Sequence, residues 1–200
     1  MKLTSEKALE ILNNSRGLSF DDNWIEHSIC VGDTAGRIAE ALNLDVDKAK
    51  TFGYIHDIGK RFKCKNDGAL THGIKGYEYI KSLGYDEKYA GICILHSYLN
   101  NDIDCLSGIS NRNGISFEFQ KEYVGNHNYT TYEKIINLCD LMCTDKILTL
   151  EKRLIDLISR HGSFETTHYH VTEALKLKSY FDNLLGFNLY DLFPEIKKNL

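Results

Sequence analysis

The sequence predicts an all-α fold, a helical bundle built as a single domain over residues 1–200. Three observations carry that expectation: Pro194 is the only proline, alternating β-branched runs are nearly absent, and apolar residues recur at helical spacing. A helix interior excludes proline, whereas loop-rich β proteins use several. A length of 200 residues suffices for one domain with a sizeable core, and 42% hydrophobic with 26% charged residues is ordinary globular composition. No internal repeat or low-complexity linker divides the chain.

The first helix is expected over about 4–14, with Ala8, Leu9, Ile11 and Leu12 inward and Arg16-Gly17 as its break. A longer helix starts at Asp21 or Asp22, either of which can cap its amides. Its stripe is Trp24, Ile25, Ile29, Val31, Ala35, Ile38, Ala39 and Leu42, and Gly32 and Gly36 permit a close neighbour. Asp45 caps a third helix over about 46–59, and the loop RFKCKNDGAL follows. Thr71 caps HGIKGYEYIKSLG, which Gly84 ends, and Asp86 starts EKYAGICILHSYL. Residues 100–129 read as irregular, with an extended hint only at SFEF. From Thr130 or Thr131 one continuous helical pattern runs through LISR, and two further stretches lie around 164–184 and 190–198.

The net charge of −4 and pI near 6.1 supply no basic field for a nucleic-acid backbone, so no polymer partner is expected. A small anionic substrate drawn by a local cluster or metal remains compatible. The six cysteines (Cys30, Cys64, Cys93, Cys105, Cys139, Cys143) include no C-x-x-C pair, and MKLTSEKALEIL reads as an amphipathic helix rather than a signal segment. Reduced thiols in a cytoplasmic protein are therefore expected. No apolar run approaches the ~18 residues of a membrane span.

Ionisable groups sit where these helices should face the core: His27, the adjacent His56 and Asp57, His96 and Asp140, with His72 at a helix start. Burying a charge without a partner costs several kcal/mol, so such groups pair or bind metal. Singly, each has a plain alternative as a satisfied core histidine, a cap or a lysine partner. His56-Asp57 has no local capping role in TFGYIHDIG, and six such groups over five helices point to one shared polar centre. Imidazoles with carboxylates suit Fe, Mn, Zn and similar divalent ions. Two such ions with four neutral histidines and two aspartates leave a formal charge of about +2, attractive to phosphate. Adjacent helical positions differ by about 100°, so His56 and Asp57 must straddle one face, or the carboxylate must bridge two ions.

The order His27, His56-Asp57, Asp140 resembles the HD superfamily of helical metal-dependent phosphohydrolases, whose signature is H…HD…D on separate helices. The resemblance covers about 25–145 and implies a bundle of the HD-domain type that hydrolyses phosphoester or phosphoanhydride bonds. The run THGIKGYEYIKSLG, GICILHSYL and YEKIINLCDLM is similar to the YqeK-like family of symmetrical dinucleoside tetraphosphatases. That similarity implies two ions, iron first with Mn, Zn, Ni, Co or Mg as alternatives, held by His27, His56, Asp57, His72, His96 and Asp140. It also implies cleavage of diadenosine tetraphosphate to two ADP by a metal-activated water. The chain departs from the pattern in a short Asp57–His72 segment, in Ser97 after His96, and in a widened His96–Asp140 interval.

In this reading His27, His56, Asp57 and Asp140 hold one ion, His72 and His96 complete a second, and Asp57 bridges. Asp57 and Lys60 are the expected catalytic residues; Lys60 and Arg61 are the expected phosphate contacts, with Lys63 extending the rim. A solvated helix-end lysine is the alternative for Lys60. His168 and His170 are expected at the surface, His161 at a helix C-terminus, and His127 in a loop that can enter the pocket. The rival readings keep the HD site for another nucleotide or phosphoester, or make it a metal and nucleotide sensor. Cyclic di-GMP phosphodiesterases share HDIGK, but their HHE and GYP elements are missing. The apolar tail NLLGFNLYDLF packs on the core or on a second subunit as a homodimer.

Overall fold

Thr4 accepts a hydrogen bond from the Lys7 amide at 3.4 Å and so starts α1 (Ser5–Asn13). The computed structural model describes residues 1–63, 68–106 and 115–198. Among these residues the chain is all-α, with no β-strand beyond an isolated bridge between Cys143 and Ile147. Asp22 occupies the cap position of α2 (Asn23–Ala41), but its carboxylate takes the Gly17 amide at 3.1 Å. The first free amide of that helix, on Asn23, goes to Asp21 instead. Asp45 caps α3 (Val46–Ile55) by accepting from Lys48 at 3.0 Å.

α2 packs along α3 because both present glycine at the crossing. A Cβ on Gly53 would stand 2.4 Å from the Gly32 Cα, so no side chain fits there. α3 then lies at the centre, touching α1, α2, α5 and α7.

The third helix does not run to residue 59. It ends at Ile55, and Ile58–Phe62 form a 3-10 turn in which the Lys60 amide donates to the Asp57 carbonyl. α4 (Gly68–Ser82) begins before Thr71, so that residue lies inside the helix rather than capping it. Ala69 and Leu70 are good helix formers and prolong the helix upstream. α5 (Glu87–Leu95) stops at His96, short of the expected ILHSYL, and a 3-10 turn (Leu99–Asn101) follows.

Two further expectations are corrected. SFEF is helical, within α6 (Ile115–Asn126). Gln120 and Val124, four apart, are buried, while Phe119 and Tyr123 both meet Tyr77 of α4, which is helical periodicity. The long pattern after Thr130 is two helices, α7 (Thr131–Asp140) and α8 (Leu150–His161). Thr144 bonds to the Asp145 carboxylate and the Lys146 carbonyl, local hydrogen bonds that compete with helix continuation. A Thr130–Glu133 capping box starts α7, and Thr149 caps α8.

α9 (Thr167–Leu185) ends at Gly186 and packs across α7 and α8. Two 3-10 turns (Leu189–Leu192 and Pro194–Lys198) close the described chain. Leu189 and Phe193 of the apolar tail are fully buried, so the tail packs on the core. No helix of the described residues is long and apolar enough to cross a membrane. The five described cysteines are free thiols, and Cys64 lies outside the described residues.

Candidate metal centre

His56 is fully buried at the C-terminus of α3, and Asp57 next to it is almost as inaccessible. The change to a 3-10 turn resolves how neighbouring residues face one centre. Asp57, at φ −101° and ψ 9°, has left helical geometry between α3 and that turn, so its side chain is not held at the fixed helical angle from His56. α2 contributes His27, α4 His72, the end of α5 His96, and the end of α7 Asp140.

These six side chains meet in two sets that share Asp57. On one side Nε2 of His27 and His56 are 3.3 Å apart, and Asp57 Oδ2 lies 3.8 and 3.6 Å from them. Asp140 Oδ1 reaches the same side, 2.9 Å from His27 Nε2 and 3.7 Å from His56 Nε2. On the other side Nε2 of His72 and His96 are 3.3 Å apart, with Asp57 Oδ1 at 3.2 and 3.5 Å. The sets His27–His56–Asp57 and Asp57–His72–His96 each place one donor atom per residue close enough to hold a metal ion.

The donor chemistry fits divalent ions. With metal–nitrogen bonds of about 2.1 Å, two cis imidazoles sit about 3.0–3.4 Å apart, which is the spacing of both pairs. His56 Nδ1 donates to the Gly53 carbonyl at 2.7 Å and His96 Nδ1 to the Ile92 carbonyl at 3.2 Å. Both rings thereby turn Nε2 to the centre, the outer-shell arrangement metal-ligating histidines use. Asp57 Oδ1 is buried with no hydrogen-bond partner among the described residues, an expensive omission unless a cation meets it.

The electrostatics keep the carboxylates ionised. Burial pushes Asp57 up, but Lys60 and His56, then His72 and His96, together hold it well below the usual carboxylate range. Burial likewise opposes ionisation of Asp140, and His27 and His56 reverse the effect. For His72 burial wins over Asp57, so its pKa falls and the ring stays neutral. Lys60 contacts Asp57 Oδ2 directly, and that pairing outweighs burial to raise its pKa. Ser97 lies 3.1 Å from His96 Nε2 through its hydroxyl.

The other sequence candidates divide. Arg61 stacks over Tyr79, 4.2 Å from the ring centroid, and leans along α4. Lys63 is exposed. His127 stacks on Tyr123 and approaches Glu133 at 3.7 Å, outside both donor sets. His168 is exposed as expected, but His170 is buried, because α9 turns that residue inward against the bundle. Burial lowers its pKa to about 4, against the opposing charge of Asp140. The His161 side chain lies outside the described residues.

Two neighbours of the site escaped the sequence reading. His170 was one; Arg153 of α8 is the other. Its Nε donates to the Cys143 carbonyl at 3.2 Å, in the turn just beyond Asp140, and its positive charge repels that of Lys60. Both lie in helices whose place over the centre depends on the break after Asp140, which the sequence pattern hid.

Residues 24–160 match the family model described as HD domain. An uncharacterized protein of Methanocaldococcus jannaschii is 34% identical over 96 residues, 46% of this chain and 52% of that one. Ribonuclease Y of Fervidobacterium nodosum is 36% identical over 78 residues, 39% of this chain and 15% of the relative. Ribonuclease Y of Lawsonia intracellularis is 32% identical over 117 residues, 53% of this chain and 22% of the relative. The chain thus spans about half the length of the first relative and under a quarter of the other two. No solved structure matches it.

Proposed function

The chain belongs to the HD domain family, a family of metal-dependent phosphohydrolases, and from that premise we propose that it cleaves a phosphoanhydride or phosphoester of a small nucleotide at a two-ion centre. The observation that carries the proposal is Asp57 offering one oxygen to each of two histidine pairs. His27, His56, Asp57 and Asp140 would hold one ion, and Asp57, His72 and His96 the second, iron being the first choice. When bound, such ions supply a water nucleophile near neutral pH and Lewis-acid stabilisation of phosphoryl oxygens.

The protein's own groups do the rest. Asp57, kept ionised, fixes the spacing between the two sets. Gly53 and Ile92 hold the His56 and His96 rings in one tautomer and orientation. Lys60, in contact with Asp57 Oδ2, would offer its fixed positive charge to a phosphate oxygen bound at the centre. Arg61 would serve as a second phosphate contact only by leaving Tyr79.

The sharpest form of the proposal is symmetrical cleavage of diadenosine tetraphosphate, supported by the resemblance of the His72 and His96 segments. A second reading has its own support: the relatives named Ribonuclease Y make an RNA phosphodiester a candidate substrate. The net charge of −4 favours the small nucleotide, since it gives no general attraction for a polymer backbone. The test is turnover of a panel with Fe²⁺ or Mn²⁺: diadenosine tetraphosphate, nucleoside mono- and diphosphates, and a short single-stranded RNA. Two ADP from the tetraphosphate support the first form and shortened RNA the second. Metal retention with no turnover of any member would overturn hydrolysis in favour of a sensor.

A further inference from the structure

Just beyond the contact between His27 and Asp140, the same two stretches of chain bring two thiols together. Cys30 follows His27 by one turn of α2, and Cys143 follows Asp140 in the turn that closes α7. The 2.9 Å approach of His27 Nε2 to Asp140 Oδ1 sets α2 against the end of α7. One step along, the Cys143 thiol lies 3.5 Å from the hydroxyl of Thr34, which follows Cys30 by one turn on the same face of α2, so Cys143 packs against the face that carries Cys30. Cys143 is fully buried, whereas Cys30 is only half-buried.

We propose that Cys30 and Cys143 are a peroxide-reactive pair that closes to a disulfide beside the metal centre and weakens metal binding there. Neither thiol takes part in the hydrolytic chemistry described above. The two differ in access, as an attacking and a resolving cysteine must: half-buried Cys30 can meet peroxide, and fully buried Cys143 can only resolve. The hydrogen bond between them favours the Cys30 thiolate against burial, while burial raises Cys143. Burial also raises Cys93, Cys105 and Cys139, so Cys30 alone among the described cysteines is shifted toward thiolate. The thiolate is the nucleophile in such reactions.

The chemistry balances with hydrogen peroxide as oxidant. The Cys30 thiolate attacks one peroxide oxygen, the O–O bond breaks, and hydroxide leaves with a proton as water, giving a sulfenic acid. The Cys143 sulfur then attacks the Cys30 sulfur; the S–O bond breaks and a second water departs with the thiol proton. The two thiols are oxidised by two electrons and the peroxide is reduced to two waters. An S–S bond of about 2.05 Å draws α2 toward the turn after Asp140, and the His27–Asp140 contact lies within one helical turn of it.

The experiment treats fully reduced, metal-free protein with stoichiometric hydrogen peroxide, followed by intact mass, peptide mapping and Mn²⁺ titration. The expected result is loss of two hydrogens, a linked peptide pair containing Cys30 and Cys143, and at least tenfold weaker Mn²⁺ binding that dithiothreitol restores. Cys30→Ser and Cys143→Ser should each abolish the link and the loss of affinity, with melting curves reporting their folding. If a serine variant fails to fold, the alanine variant takes its place. No disulfide, a disulfide through any other cysteine, or oxidation halting at sulfinic acid overturns the pair. A mapped Cys30–Cys143 bond with unchanged Mn²⁺ affinity overturns the coupling. None of these readouts depends on which phosphate is cleaved.

Discussion

Gly59 runs so close beneath His72 that a Cβ at position 59 would stand 1.8 Å from the His72 carbonyl oxygen. The turn after Asp57 and the helix carrying His72 are therefore in backbone contact, and that contact delivers His72, one of the second histidine pair, to the shared carboxylate. Gly59→Ala must push α4 away. The expected cost is about 1–3 kcal/mol of stability, with weaker binding of one metal equivalent before the other. Chemical denaturation and metal titration of the variant check this; wild-type values in both would show that α4 yields without moving His72.

Lys60 and Arg153 bring two positive charges to one side of the centre from separate elements. Lys60→Ala should lower kcat/KM about 10- to 100-fold, or ~1.4–2.7 kcal/mol of transition-state stabilisation, with metal content unchanged. Arg153→Ala should act mainly on KM, since the guanidinium is tied to the Cys143 carbonyl and to Asp156 and does not touch the donor sets. Steady-state kinetics on the substrate identified by the panel separates the two effects. An unchanged kcat/KM for Lys60→Ala would return that lysine to a structural partner of Asp57.

His170 gives the metal-free protein an acid-sensitive window. Its pKa falls from 6.5 unfolded to about 4 folded, so between these values the unfolded chain binds more protons. Stability is fully present above the unfolded value and is lost as pH falls from 6.5 toward 4, by up to about 3 kcal/mol. The carboxylates of Asp57 and Asp140, also depressed, lose their contributions lower still, below about pH 4. Urea denaturation across pH in chelator should show the upper slope in wild type and a shallower one in His170→Gln, the remainder belonging to His72, whose pKa burial also lowers. An unchanged slope in the variant would remove His170 from the account.

Much of the fold, and the side chains that gather at the candidate site, were legible in the sequence, for physical reasons that also mark where reading failed. His27, His56, Asp57, His96 and Asp140 stood out because a polar group on an apolar helical face is costly, and the structure gathers them together with His72. The helix through SFEF was hidden because its buried members, Gln120 and Val124, include a polar residue, which weakens the apolar stripe. The break after Asp140 was hidden because Leu141, Met142, Cys143, Ile147 and Leu148 are buried and imitate a continuing helix. With α7 and α8 read as one helix, Arg153 could not be placed near the centre. His170 in THYHV looked like a surface histidine, since nothing local reveals which face of α9 meets α7.

Metal counting tests the centre shared across Asp57 most directly. Protein reconstituted with Mn²⁺ or Fe²⁺ and freed of excess should carry two equivalents, and the His72→Ala/His96→Ala double variant should carry one. Asp57→Ala should retain neither ion tightly, because both sets lose an oxygen. One equivalent in the wild type, or two in the double variant, would contradict the shared centre.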